Sequence, residues 1–96
     1  MNSYRQSLFH IVFCTYKRRN TLPEKHHEAL YKYIWGIIKK RKSVLYRING
    51  TGNHIHIFCD LHSSIGLADF VKEIKTASNT WMTNSGNFPA FESWAE

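Results

Sequence analysis

In the segment from Asn53 to Leu61, apolar residues occupy every second position, and this period of two predicts a β-strand. Its apolar face carries Ile55, Ile57, Cys59 and Leu61. Its opposite face carries His54, His56, Phe58 and Asp60. A second alternating stretch, from Ser7 to Thr15, predicts a strand whose core face holds Phe9, Ile11 and Phe13. The other face of that strand holds Leu8, His10, Val12 and Cys14.

Apolar residues recur every three or four positions in two further segments, which predicts amphipathic helices. The first helix opens near Thr21–Glu24 and ends in the basic run Lys39–Lys42. Its apolar stripe consists of Leu30, Tyr33, Ile34, Ile37 and Ile38. The second helix extends from Ile65 to about Thr83, with Ser63 or Ser64 as the expected cap. Its stripe consists of Leu67, Phe70, Val71, Ile74, Ala77 and Trp81.

A β-hairpin is predicted between the two helices. Ser43–Ile48 has the pattern of a strand, and Asn49–Asn53 has the composition of a tight turn that leads into the histidine strand. The order strand, helix, hairpin, helix is the β-α-β-β-α part of a ferredoxin-like or RRM-like plait. This is an α+β fold with an antiparallel sheet and two helices on one face. The tail Phe88–Glu96 is too short for a full element, so a fourth strand is expected to be missing or incomplete.

Three histidines are expected on the face of the sheet that the helices leave open. Side chains two apart on a strand stand about 6.5–7 Å apart, so His54 and His56 can lean together. The first and third strands of a plait are neighbours, which brings His10 to the same place. Two imidazoles can hold a divalent cation and leave positions for water and a phosphate oxygen. The alternative is that these histidines merely occupy a solvated strand face.

The chain is one small basic domain of 96 residues, with a formal net charge of +6 and a pI near 9.6. This excess favours a polyanionic partner, nucleic acid before membrane. The candidate DNA-binding residues form two clusters: Lys17, Arg18 and Arg19 after the first strand, and Lys39, Lys40, Arg41 and Lys42 at the end of the first helix. Both clusters are expected at the same end of the sheet. A solvated loop and a helix end stabilised by cations are the alternatives.

The expected compartment is the cytoplasm. No run approaches the roughly 20 apolar residues of a membrane span, and the first residues lack the layout of a signal peptide. Cys14 and Cys59 both fall inside predicted strands, where they are interpreted as packing thiols instead of a disulfide or a zinc site.

Several segments, in this order along the chain, resemble a known protein family. They are Leu8–Arg19, Gly52–Phe58 and Leu67–Lys75, and Phe88–Glu96 resembles the family's approach to its fourth strand. The family is that of the single-tyrosine HUH transposases of small insertion sequences and their repetitive-element-associated relatives. The resemblance covers essentially the whole chain. It implies that residues 1–96 are a single transposase-like domain, corresponding to the N-terminal portion of the family's domain.

The resemblance implies DNA transposition through metal-dependent cleavage of single-stranded DNA beside a hairpin, by a homodimer. It assigns His54 and His56 as the catalytic metal ligands for Mg²⁺ or Mn²⁺. The order of strands in the plait adds His10 as a third candidate neighbour, and two or three neutral ligands without a carboxylate predict weak binding of the ion. In the family, a tyrosine on a C-terminal helix attacks the phosphate. This chain is expected to be truncated before that helix, by nature or as a fragment. We therefore expect a transposase relative without strand transfer.

None of the five tyrosines is expected to replace the nucleophile; they are Tyr4, Tyr16, Tyr31, Tyr33 and Tyr46. The alternative function is a non-catalytic plait domain that binds DNA or RNA. Plait domains that bind RNA stack bases on aromatic residues of the open sheet. Here Phe58 is expected to be the only aromatic residue on that face, which disfavours RNA.

Overall fold

The computed structural model describes residues 6–96, which form three strands and two α-helices in the predicted order. The elements are β1 (Leu8–Cys14), α1 (His27–Lys40), β2 (Val44–Gly50), β3 (His54–Asp60) and α2 (Leu67–Ser85). Short 3₁₀ turns at Tyr16–Arg18 and Glu24–His26 lie between β1 and α1. The strands pair in the order β1-β3-β2, and both pairs are antiparallel. The predicted α+β class and antiparallel sheet are confirmed.

The core lies where the alternating and helical patterns place it. Buried apolar residues come from β1 and β3, from both helices, and from the connecting segments and the tail. They are Phe13, Leu22, Leu30, Ile34, Ile38, Ile55, Ile57, Cys59, Leu61, Phe70, Ile74, Met82, Phe88 and Trp94. Burial, together with the charge of Asp60, raises the pKa of the Cys59 thiol, which fits a packing role. Leu67 is 38% exposed, so the stripe of α2 begins at Phe70. No helix of residues 6–96 is both long and apolar enough to cross a bilayer.

Two helix starts differ from the prediction. Residues 24–26 form a 3₁₀ turn, so α1 begins at His27, whose Nε2 hydrogen-bonds the Leu22 carbonyl at 2.8 Å. The N-cap of α2 is Gly66, and no side chain caps it. Ser64 is not the cap because its hydroxyl and its backbone N–H both bind Nδ1 of His62. α2 ends at Ser85, two residues beyond the expected Thr83, and its C-cap Gly86 has a left-handed φ of 73°.

The tail is packed against the end of β1 and makes one antiparallel bridge there, between Thr15 and Trp94, instead of a full fourth strand. Trp94 is buried, and its indole N–H donates to Oγ of Ser78 at 2.9 Å. Backbone bonds join Tyr16 N–H to the Ser93 carbonyl and Ala95 N–H to the Cys14 carbonyl. Within residues 6–96, no strand covers the remaining edge of β1 towards Leu8.

The two basic clusters lie at opposite ends of the sheet, so their predicted proximity is wrong. Cys14 is opposite His54, whereas Val44 is opposite Asp60, at the other end of β3. Both β1 and β2 run antiparallel to β3 and are therefore parallel to each other. The residues after β1, which include Lys17–Arg19, must then lie at the opposite end from Lys39–Lys42, which precede β2.

Two glycines give a matched test of the hairpin. A Cβ on Gly50 would lie 2.3 Å from the backbone oxygen of His54 and 2.9 Å from Cα of Ile55. A Cβ on Gly36 in α1 would meet nothing within 4 Å outside the helix's own backbone. We expect Gly50→Ala to lower the free energy of unfolding by more than about 1 kcal/mol, and Gly36→Ala to raise it by about 0.5–1 kcal/mol. Urea denaturation measures both, and a Gly50→Ala protein as stable as the wild type would contradict this hairpin geometry.

Candidate functional site

The structure brings His10, His54 and His56 together on the open face of the sheet. In the pairing of β1 with β3, Val12 lies opposite His56, and His10 lies two pairs further along, opposite Phe58. The ring centroids of His54 and His56 are 4.7 Å apart, and those of His10 and His56 are 5.3 Å apart. Val12, on the same face, is 48% exposed, so solvent and ligands can reach this part of the sheet.

Residues of the hairpin turn orient His54. Its Nδ1 lies 2.7 Å from Oδ1 of Asn53 and 3.0 Å from Oγ1 of Thr51. An amide oxygen only accepts hydrogen bonds, so a neutral His54 carries its proton on Nδ1. The lone pair of Nε2 is then free to bind a cation, which is the usual arrangement of a histidine ligand. The turn composition predicted a hairpin but not this second role of Asn53 and Thr51.

His10 contacts His56 in the way that Asn53 contacts His54. Nε2 of His10 lies 3.2 Å from Nδ1 of His56. When His56 donates the proton in this contact, its own Nε2 is free, as it is in His54. The two neighbouring imidazoles then offer two neutral nitrogen donors on one face of the sheet.

The donor set of two imidazoles fits a weakly held divalent cation. Within residues 6–96, no group of three or more His, Cys, Asp or Glu side chains is arranged to hold a metal ion. Asp60 was predicted on the same strand face, but it is buried, and its Oδ1 accepts the backbone N–H of Ser7 at 2.9 Å. Water or a phosphate would therefore have to supply the remaining ligands.

The first basic cluster lies at the His54 end of the sheet. The backbone N–H of Thr15 donates to the Asn53 carbonyl at 2.9 Å, which fixes the start of the loop beside the hairpin turn. The Thr15 hydroxyl then binds the Arg19 carbonyl at 2.6 Å. Lys17 and Arg18 both have a φ of 53°, a left-handed conformation that is uncommon outside glycine and costs about 1–3 kcal/mol.

The three cations of this loop differ in what they contact. Arg19 forms a salt bridge with Glu92 of the tail, and its guanidinium lies 5.5 Å from the centroid of the Tyr16 ring. The Nζ of Lys17 lies 5.3 Å from the same ring centroid. Within residues 6–96, neither Lys17 nor Arg18 has a carboxylate partner. These two are the cations that the loop leaves available to an anion.

The second basic cluster has structural contacts. Arg41 binds the Glu73 carboxylate of α2 through Nε at 2.7 Å and Nη2 at 2.6 Å. This hydrogen-bonded pair lowers the pKa of the Glu73 carboxyl. Nζ of Lys39 lies 4.1 Å from the centroid of the Trp35 ring. The cluster therefore links α1 to α2 and ends α1, in agreement with the structural alternative for these residues.

A β-bulge adds a second aromatic residue to the open face, so the expectation that Phe58 is alone there is wrong. The register of β2 against β3 shifts between Leu45 and Arg47, and Tyr46 is 51% exposed. The rings of Tyr46 and Phe58 have centroids 5.6 Å apart. The sequence contains a signal for this bulge. Leu45 and Ile48 are both apolar but three apart, and a regular strand would send them to opposite faces.

None of the tyrosines among residues 6–96 lies on a C-terminal helix, which is where the resemblance places the nucleophile. The Tyr31 hydroxyl is buried and has no hydrogen-bond partner among residues 6–96, and burial raises its pKa. The Tyr33 ring stacks on Trp81, with centroids 4.9 Å apart. Tyr16 lies in the basic loop and Tyr46 lies beside Phe58, while Tyr4 falls outside the described residues.

Comparison with known proteins identifies the family. Residues 3–95 match the family described as "Transposase IS200 like". The fold is similar to the crystal structure of a protein described as a candidate transposase from Deinococcus radiodurans R1, with a TM-score of 0.81 and 19% identity over 88% of this chain. The chain spans 65% of the length of that protein. No curated protein sequence matches it. The family match extends over nearly all of the 96 residues, and the chain therefore belongs to the IS200-like transposases.

Proposed function

We propose that the chain binds single-stranded or hairpin DNA at the His54 end of its sheet and contributes to DNA transposition there. The main support is the position of His54 and His56, side by side on the open face, at the same end as Lys17 and Arg18. Cations near this end can neutralise backbone phosphates. A phosphate held by them would lie close to the histidine pair.

His54 and His56 are the proposed ligands of a divalent ion, Mg²⁺ or Mn²⁺. When bound, such an ion polarises a phosphodiester for cleavage. The chain's own part is to orient the two imidazoles: Asn53 hydrogen-bonds Nδ1 of His54, and His10 hydrogen-bonds Nδ1 of His56. Two neutral ligands without a carboxylate give weak binding, so we expect the ion to bind tightly only together with a phosphate.

We propose that the 96-residue polypeptide by itself does not transfer strands. Activation of a phenol requires a hydroxyl that can reach the phosphate at the metal. The Tyr31 hydroxyl is buried and Tyr33 stacks on Trp81. Tyr16 and Tyr46 are exposed, so the proposal predicts that neither of their hydroxyls attacks the phosphate. A non-catalytic DNA-binding protein, the alternative expected from sequence, would use the same histidines and the same basic loop.

A homodimer formed through the edge of β1 is also proposed. Within residues 6–96, the tail pairs only with the Cys14 end of this edge, and the part towards Leu8 lacks a strand partner. Unpaired strand edges bind other strands readily. We expect light scattering to give twice the mass of one chain, whereas a stable monomer at all concentrations would contradict the edge interaction.

The cytoplasm remains the expected compartment. The free thiols Cys14 and Cys59 lie at different ends of the β1–β3 pair, opposite His54 and Phe9, so their separation explains the lack of a disulfide between them.

The DNA-binding proposal predicts a difference between the two basic clusters. Lys17→Glu combined with Arg18→Glu should weaken binding to a hairpin DNA with a single-stranded flank, because phosphate contacts are lost. The dependence of log K on log salt should become shallower by about 0.7–0.9 for each contact removed. Fluorescence anisotropy at several salt concentrations measures both quantities.

The matched control is Lys39→Glu combined with Lys40→Glu, which changes the net charge equally at the other end of the sheet. This variant should keep most of the affinity. Equal losses in the two double variants would show a response to net charge alone. Unchanged affinity of the Lys17 and Arg18 variant at low salt would refute the proposed interface.

The metal proposal predicts that His54→Ala and His56→Ala each abolish Mn²⁺ binding, because one imidazole cannot hold the ion. Asn53→Ala should weaken it by roughly 10- to 100-fold through loss of orientation of His54. His62→Ala, an exposed histidine outside the site, is the control and should bind as the wild type does. Electron paramagnetic resonance of free Mn²⁺ measures binding in the presence of hairpin DNA.

The same mixtures, run on a denaturing gel, should show no covalent protein–DNA adduct. An adduct would overturn the proposed lack of strand transfer, and Tyr16→Phe would then show whether Tyr16 forms it. Equal Mn²⁺ binding by the wild type and His54→Ala would overturn the metal site.

A further inference from the structure

An exposed aromatic cavity adjoins the histidine pair on the open face of the sheet. His10, Tyr46, Arg47 and Phe58 line this cavity, whose volume is about 550 Å³. The rings of Tyr46 and Phe58 are tilted by 39° at a centroid distance of 5.6 Å. Tyr46 is 51% exposed and Phe58 is 39% exposed, so both rings are accessible to a ligand.

The β-bulge makes this cavity. Opposite Phe58 the ladder of β2 contains one extra residue, so Tyr46 and Arg47 are both exposed although they are consecutive. Without the extra residue, one of them would point into the core under the helices. Bulges often re-aim a side chain in this way, and they are frequent beside functional sites.

We propose that Tyr46 and Phe58 form a stacking site for one unpaired base of single-stranded DNA. This inference rests on the proposed function and extends it from the phosphate to the neighbouring base. Aromatic side chains hold bases of any identity through their faces, which suits a strand that is bound chiefly by its backbone. The site therefore positions DNA without reading its sequence.

The position of the cavity supports a nucleotide next to the one at the histidine pair. Phe58 is two residues from His56 on β3, which separates their side chains by about 7 Å. His10 belongs to both places, because it lines the cavity and its Nε2 lies 3.2 Å from Nδ1 of His56. A strand whose phosphate lies at His56 can thus place an adjacent base on Phe58.

Charge favours a nucleotide over an apolar segment of protein as the occupant. The Arg47 guanidinium has no carboxylate or hydrogen-bond partner within residues 6–96 and borders the cavity. It can stack on a base or bind a phosphate. A buried protein interface would leave this charge and the His10 ring desolvated, which is costly without a matching acid.

The test compares two fluorescein-labelled strands that have the same phosphates. One is oligodeoxythymidine, and the other has the same backbone without bases. The wild type should bind oligodeoxythymidine about 5- to 150-fold more tightly than the abasic strand, as expected for one stacked base. Tyr46→Ala and Phe58→Ala should lose most of this preference and keep the affinity for the abasic strand. Tyr46→Phe should retain it.

Two control variants distinguish base stacking from nonspecific hydrophobic binding, and a folding measurement excludes unfolding as the cause of any loss. Trp35→Ala removes an exposed aromatic ring from α1, and Val44→Ala removes an exposed apolar side chain from β2 outside the cavity. Both should keep the preference for bases. Circular dichroism verifies that the variants fold, which is expected because Tyr46 and Phe58 are exposed.

The outcomes distinguish failure of the stacking site from failure of the proposed function. Lys17→Glu combined with Arg18→Glu should weaken binding of both strands and leave the preference for bases intact. Equal affinity of the wild type for the two strands would overturn the stacking site while DNA binding stands. Failure of the wild type to bind either strand, together with failure to bind a hairpin DNA with a single-stranded flank, would overturn both proposals. Tighter binding of oligouridine that depends on Tyr46 would overturn DNA as the ligand in favour of RNA.

Discussion

The antiparallel pairing of β1 with β3 is the constraint on which the candidate site depends. It places Cys14 opposite His54, Val12 opposite His56 and His10 opposite Phe58. A shift of one residue would turn the histidines of one strand towards the helices. Burial of Ile55 and Ile57 on the other face of β3 prevents that shift, because the shift would expose them to water. The apolar core thus fixes the polar site on the opposite side of the same strand.

The same sheet separates the cations that join the two helices from the cations that we propose bind DNA. The parallel course of β1 and β2 sends the loop after β1 to the histidine end and the end of α1 to the other. Arg41 is then within reach of Glu73 on α2, where it joins the two helices. Lys17 and Arg18 instead have no carboxylate partner within residues 6–96. Two clusters of similar composition therefore make different contacts, which their positions in the fold determine.

Local periodicity was sufficient to predict the elements, the core faces and the shared face of His10, His54 and His56. It could not supply features that depend on partners distant in the chain. The cap of α2, the ends at which the basic clusters lie and the hydrogen bonds of Arg41 and Glu73 follow from tertiary contacts. The bulge at Tyr46 is intermediate. The three-residue spacing of Leu45 and Ile48 indicates the bulge, but a search for simple alternation does not detect it.

The contacts of the basic loop with the tail have a consequence for synthesis of the chain. Arg19 binds Glu92, and the backbone of Tyr16 binds Ser93, across more than 70 residues of sequence. β1 itself has no strand to pair with before β3 exists. The loop therefore cannot take its final conformation while the ribosome is still adding the central strand. The Arg19 salt bridge and the Tyr16 backbone contact form only after residues 92–93 have been synthesised, so this end of the sheet is completed later than its central strand.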